Sequence, residues 1–165
     1  MLVRCVFFAP AFPWPKSLRV ALLRGFGAII GRGVVIRSGV IIWFPWRLTL
    51  GDHIWLGEEV FILNLANVAI ESNVCISQRA FLCTGNHDYK SPFFDLITKP
   101  IRVEQGAWVA ANAFVGPGVT IGTHAVLAAG SVATKDLRPW GIYQGNPAVL
   151  IKKGDVGGKA ETLER

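Results

Sequence analysis

The sequence predicts an all-β chain wound into a triangular prism of six-residue units, and three observations carry that prediction. An aliphatic residue returns at every sixth position: Ile30, Ile36 and Ile42, then Leu50, Leu56 and Ile62, then Ile70, Ile76 and Leu82. After an interruption it resumes at Val103, Val109, Val115, Ile121 and Leu127. Leu, Ile and Val make up 46 of 165 residues, so fourteen such hits have a chance probability of roughly 10⁻⁸. The next residue is Gly, Ala or Glu in nine of the fourteen units, and the fourth residue after the aliphatic is Val, Ile, Ala or Ser in twelve. Six residues are too few for a helix with its turn but hold one short strand and a corner. Three units close a coil of about 18 residues, and coils stack about 4.8 Å apart through parallel pairing. The aliphatic of each unit points into the prism, and the small residue after it is expected to let the backbone turn.

Composition agrees. The chain is 52% hydrophobic and only 17% charged, which excludes a disordered tail or a coiled coil. Eighteen glycines and nine prolines punctuate it too often for a helical bundle. No apolar run is long enough to span a bilayer as a helix. Three cysteines (Cys5, Cys75, Cys83) without metal-type spacing point to a reducing compartment rather than a disulfide framework. The net charge of +6 implies an anionic partner or a solvated basic face, and no nucleic-acid motif accompanies it.

Residues 1–29 read as an N-terminal extension and capping helix. MLVRCVFFAP is a weak leader-like run, followed at once by Pro10, Pro13 and Pro15. A short helix is expected over residues 17–26, capped by Ser17, with Leu18, Leu22, Leu23 and Phe26 as its apolar stripe. It either plugs the open end of the prism or lies on a membrane surface through Lys16, Arg19 and Arg24. Residues 30–152 form the repeat domain, with a loop at 88–102. Residues 153–165 are polar and Gly-rich and are expected to form a flexible tail.

The repeat fails in an informative pattern. Two units carry two extra residues, between Ile42 and Leu50 and between Ile62 and Ile70. The unit at Leu82 runs into the long loop. Counting three units back from Leu82 reaches Ile62 and then Ile42, so all three irregularities stack on one edge of the prism. Trp43, Leu63, Cys83, Trp46 and Asn86, which break the positional rules, fall on the same edge. An acceptor site is the expected reason for remodelling one edge of three. His87 closes the last regular unit there. An imidazole is the side chain suited to general-base work near neutral pH. His53 and His124 occupy outward corner places on other units, so the three histidines are not expected to converge on a metal. Cys83 lies four residues before His87, but nothing in its neutral neighbourhood marks it as an activated nucleophile.

The strings IIWFPWRLTLGDHIWLGEE, LCTGNHDYKSPFFDLITKPI, GAWVAANAFVGPGVTIG and GSVATKD with GNPA resemble the hexapeptide-repeat acyltransferases, and within them the colanic-acid-type exopolysaccharide acetyltransferases. The resemblance covers about residues 30–152 and implies a left-handed parallel β-helix. It implies direct acetyl transfer from acetyl-CoA to a sugar hydroxyl of a bacterial surface polysaccharide or its precursor, with His87 as base. It implies a homotrimer with active sites between subunits. From the cysteines, the charge and the histidine places, a cytoplasmic protein is expected, with peripheral contact at the inner membrane surface as an open alternative and no metal. Cofactor positions that carry over are Trp108, Ala111, Ala129, Thr134, Lys135 and Lys152; Val149 departs from a basic residue usual in the family. For the acceptor, Asn64 and Asn67 lie one coil below His87, and their amides can meet sugar hydroxyls or an oxyanion. Trp43 and Trp46, one coil lower, offer flat faces to a pyranose. Asn86 and Tyr89 flank the base, and Tyr89, Phe93 and Phe94 can form a lid. Asp88 is a candidate to orient the His87 ring. The open alternatives are acetylation of a small xenobiotic or amino sugar, and an inactive β-helical scaffold.

Overall fold

The computed structural model describes residues 16–153; residues 1–15, with Cys5 and the leader-like run, and residues 154–165 of the tail lie outside them. The chain is a parallel β-solenoid of about six coils with one short N-terminal helix. The first face carries β1 (Ile29–Ile30), β4 (Leu48–Leu50), β7 (Val68–Ile70), β12 (Ile101–Val103) and β15 (Thr120–Ile121). The second carries β2 (Val35–Ile36), β5 (Trp55–Leu56), β8 (Cys75–Ile76), β13 (Trp108–Val109), β16 (Val126–Leu127) and β18 (Gly141–Gln144). The third carries β3 (Ile41–Ile42), β6 (Phe61–Leu63), β9 (Phe81–Cys83), β14 (Phe114–Val115) and β17 (Val132–Ala133). Register follows the repeat: Ile42 pairs with Ile62, and Ile62 with Leu82.

Thirteen of the fourteen aliphatics are buried, and Ile42, in the bottom coil, is half-buried. The fourth residue after the aliphatic is buried in ten of the fourteen units, as at Val60, Val74 and Ala113, which explains why that place is apolar and compact.

The corners turn by a different device from the one expected. In eleven units the residue three places after the aliphatic has φ between 55° and 81°, from Gly33 and His53 to Gly118 and Gly130. Five of these are glycines; the others are His53, Glu59, Asn73, Arg79, Asn112 and His124, which bear the cost of the left-handed region. The small residue after the aliphatic serves stacking instead. A Cβ on Gly51 would stand 2.7 Å from the Ser72 backbone nitrogen of the next coil. Where Glu takes that place, its carboxylate accepts an N–H from the coil above: Glu71 from Gln105, and Glu104 from Thr123.

Helix α1 (Lys16–Gly25) plugs the open base, with Leu23 buried in the core. Arg19, expected on a charged face, is buried and donates to the Ile36 carbonyl, a strand edge that no lower coil can pair. Phe26 does not join the apolar stripe and is exposed. At the other end the described chain closes with a hairpin. β19 (Val149–Lys153) folds back antiparallel on β18 and extends the second face to Lys153.

Candidate functional site

The third-to-first corner is the remodelled edge. It joins β3 to β4 through a 3-10 turn (Pro45–Arg47), β6 to β7 through an enlarged loop, and β9 to β12 through an arm. The left-handed corner residue survives here only at Gly118. The arm leaves the prism earlier than the repeat suggested: β10 (Gly85–His87) and β11 (Leu96–Thr98) pair antiparallel, so His87 lies on the outgoing strand rather than at a prism corner. Thr84 roots the arm. Its hydroxyl donates to Leu63 O and accepts from Ala66 N, both at 2.9 Å, and its carbonyl accepts from Lys99 N.

His87 is exposed at the start of the hairpin. Its Nδ1 lies 2.8 Å from the Phe94 carbonyl oxygen, and its ring stacks on Phe94 at 4.5 Å with 10° between planes. A carbonyl oxygen has no proton to give, so Nδ1 donates and the lone pair sits on Nε2. Phe94, at φ 52°, holds the carbonyl in place; Asp88, the sequence candidate for orienting the ring, instead accepts from Lys90 N within the turn. No sequence signal marks a backbone carbonyl for this task. Asn86 Oδ1 accepts the His87 N–H at 2.8 Å. Tyr89 and Phe93 are exposed along the arm.

Asn64 is a correction. It is fully buried, its Nδ2 donating to Phe44 O at 2.7 Å and its Oδ1 accepting from Phe44 N at 3.0 Å. The amide thus replaces a strand partner for the enlarged corner below, and it does not face an acceptor. Asn67 is exposed and lines a groove of about 520 Å³ with Lys99, Arg102, Gly118 and Thr120. Trp43 and Trp46 are exposed one coil lower, flanking Phe44 with ring centroids at 6.2 and 5.2 Å. Cys83 is buried, and its thiol is 3.2 Å from Gly85 O, satisfied away from His87.

The expected cofactor residues divide between two corners. Trp108, on the second face, donates through Nε1 to Ser77 Oγ at 2.8 Å. Ala111 and Ala129 stack in successive coils at the second-to-third corner, where Gly130 N donates to Ala111 O. Lys152 continues the Trp108 column, through the register Trp108, Val126, Ile142, Lys152. Thr134 and Lys135, both exposed, stand instead on the third-to-first edge, two coils above the root of the arm. His53 and His124 lie on the first-to-second corner, where His124 stacks on Trp140 at 4.2 Å, away from His87.

Electrostatic shifts occur low in the prism. The Arg32 backbone N–H, with the Arg32 and His53 charges helping, holds the Asp52 carboxyl below its ordinary range. The hydrogen bond from Arg37, at 2.6 Å, does the same for Glu58.

Comparison with known proteins agrees with this architecture. The model of the family described as bacterial transferase hexapeptide (six repeats) matches residues 100–135. The chain is 44% identical over 149 residues, 88% of its length and 82% of the relative's, to the "Putative colanic acid biosynthesis acetyltransferase WcaF" of Escherichia coli (strain K12). Among solved structures, a hexapeptide-repeat-containing acetyltransferase of Vibrio cholerae O1 biovar eltor complexed with acetyl coenzyme A superposes with a TM-score of 0.81. It is 26% identical, with 89% of this chain and 81% of that one covered. A galactoside acetyltransferase in complex with coenzyme A has a TM-score of 0.82 at 22% identity, covering 96% and 83%, a likeness of fold. No described helix is long and apolar enough to cross a membrane.

Proposed function

The chain belongs to the hexapeptide-repeat acetyltransferases, and on that premise we propose that it acetylates a sugar hydroxyl of a bacterial surface polysaccharide or its precursor. The observation that supports this most is the 2.8 Å contact of His87 Nδ1 with the Phe94 carbonyl oxygen, which calls for the proton on Nδ1 and leaves Nε2 of the neutral ring free to act as a base. Nε2 takes the proton of the acceptor hydroxyl as its oxygen bonds to the thioester carbonyl carbon. The tetrahedral oxyanion then collapses, the carbon–sulfur bond breaks, and the proton on Nε2 passes to the leaving thiolate of CoA. The acceptor lies along the remodelled edge, against Trp43, Trp46 and Asn67 below and Asn86 and Tyr89 on the arm.

Acetyl-CoA is the donor, by analogy with the Vibrio cholerae relative. The residues fit such a ligand. Trp108, Ala111 and Ala129 give an apolar wall with little bulk for the pantetheine arm, and Thr134, Lys135 and Lys152 are exposed polar or basic groups for phosphates. Thr134 and Lys135 stand on the third-to-first edge, whereas Trp108 and Lys152 stand on the second face and Ala111 and Ala129 at its corner with the third. A ligand rising from His87 to Lys135 along one edge meets Trp108, Ala111 and Ala129 only if these come from a neighbouring copy. We therefore favour a homotrimer with shared sites. It works in the cytoplasm, where Cys75 and Cys83 stay reduced.

The test is incubation with acetyl-CoA and free or lipid-linked oligosaccharides, read by mass spectrometry for an added acetyl group. Product sensitive to alkaline ester cleavage and absent without the acceptor is expected. Thioester hydrolysis without acceptor modification, or no binding of CoA, would overturn the reading.

A further inference from the structure

The base of the prism carries a charge asymmetry that the transfer reaction does not use. Residues 1–51 hold seven of the chain's 17 Lys and Arg and none of its 11 Asp and Glu, so the rest of the chain is close to neutral, with ten against eleven. The whole net charge of +6 therefore comes from the first third of the sequence. Arg32 and Arg37 are met by Asp52 and Glu58 of the next coil. Arg24 and Arg47 are not met by a carboxylate among the described residues. Arg24 donates to the carbonyls of Ile30 and Gly31, and Arg47 to that of Leu65 while lying over the Phe44 ring.

The same end exposes large apolar side chains: Phe26 at 49%, Ile29 at 68%, Trp43 at 51% and Trp46 at 59%. They belong together, since Gly27, next to Phe26, sits against Trp46, and Phe44 bridges Trp46 and Trp43. Helix α1 does not cover them; it spends Leu23 and Arg19 inward on the core and on the open strand edge. Tryptophan and phenylalanine amid uncompensated arginines form the composition of a surface that sits in the headgroup region of a bilayer. The sequence preceding Lys16 has a similar composition, with Leu2, Val3, Val6, Phe7, Phe8, Phe12 and Trp14, one Arg and no acid.

We propose that the base of the prism, formed by Phe26, Ile29, Trp43 and Trp46 with Arg24 and Arg47, docks on an anionic lipid surface. Lipid is favoured over nucleic acid because the cations are interleaved with large protruding apolar side chains rather than aligned along a groove. The arginines draw the end toward negative headgroups, and the aromatic side chains enter the interface. Docking at this end leaves the upper part of the remodelled edge, with Asn67, Asn86 and Tyr89, open to an acceptor, while Trp43 and Trp46 stand at the foot of that edge and belong to both surfaces. Phe26 and Ile29 belong to the docking surface alone, so vesicle binding is tested through them independently of the transfer reaction.

The test is sedimentation of the full chain with vesicles of phosphatidylcholine containing about 30% phosphatidylglycerol, against pure phosphatidylcholine, across a salt series. Binding at least about tenfold tighter to the anionic vesicles, weakening with salt, is expected. The double variant Phe26→Asp with Ile29→Asp should lose about tenfold or more of that binding, with its melting temperature and its turnover on a soluble acceptor unchanged. Equal binding to both vesicle types, no vesicle binding, retention on duplex DNA in place of vesicles, or wild-type binding by the double variant would each overturn the proposal. If melting of the double variant is lowered, Ile29→Glu alone gives the same reading, because Ile29 is the most exposed of the set.

Discussion

The Phe94 carbonyl oxygen accepts from His87 Nδ1 at 2.8 Å, and the two residues are partners a second time through their stacked rings. The hydrogen bond selects the tautomer, and the stack fixes the plane in which Nε2 presents its lone pair. The imidazole on this projecting hairpin is held without a carboxylate among the described residues.

Replacing His87 with Ala should lower turnover by roughly 10²–10⁴-fold while leaving CoA affinity close to wild type. Phe94→Ala keeps the carbonyl but removes the ring contact, worth about 0.5–1.5 kcal/mol, so kcat should fall about two- to tenfold. Steady-state kinetics with acceptor and acetyl-CoA varied separately will check both. Near-normal turnover in the His87 variant would require another base.

Asn64→Ala should act on stability. It leaves the half-buried Phe44 N–H without its partner, at about 1–3 kcal/mol, while the Phe44 carbonyl keeps the Arg47 N–H. Urea unfolding should show a lower midpoint with an unchanged slope. A variant as stable as wild type but with raised acceptor KM would return Asn64 to the acceptor site.

Two glycines should respond in opposite ways, because one is required by space and the other by conformation. Gly51→Ala pushes a Cβ against the Ser72 backbone, an overpacking cost of about 1–3 kcal/mol. Gly130 has open space around it but φ 67°. Gly130→Asn should be tolerated to within about 1 kcal/mol, since Asn73 and Asn112 already occupy the equivalent corners. Thermal unfolding of both variants decides the matter.

These examples also mark how far the sequence could be read. The inward aliphatics, the three faces and the single remodelled edge were legible because burial repeats with a period of six. The corner residues were not, because His, Glu, Arg, Asn and Gly share a backbone angle and no side-chain property. At the site, His87 stood out by its place in the chain. Its partner was hidden because a carbonyl is common to every residue, and the Asn64 amide looked free until Phe44 was seen to take both its ends.

The low-pH behaviour follows from Glu58. Arg37 lowers its folded carboxyl below the ordinary value of 4.5, so the pair stabilises the fold above that value. The contribution is lost as pH falls through the depressed folded value, where Glu58 takes up a proton. The difference in melting temperature between wild type and Arg37→Ala should therefore be full at pH 7 and shrink below about pH 4.5. A difference that grows on acidification would contradict the pairing.

The shared-site reading makes the sharpest demand. His87, with Thr134 and Lys135, stands on the third-to-first edge, whereas Trp108, Ala111 and Ala129 stand around the second-to-third corner. If each site takes the first set from one copy and the second from its neighbour, two defective variants can repair each other. Consider trimers assembled at random from equal amounts of His87→Ala and Trp108→Ala chains. A site works when the copy lending His87 is a Trp108→Ala chain and the copy lending Trp108 is a His87→Ala chain, which occurs in about one quarter of sites. Co-refolded mixtures should then show about a quarter of wild-type turnover, above the sum of the two variants alone. Sites contained within one copy give no such gain, and a mixture no more active than that sum would place Trp108 and His87 in the same protomer's site or remove Trp108 from it.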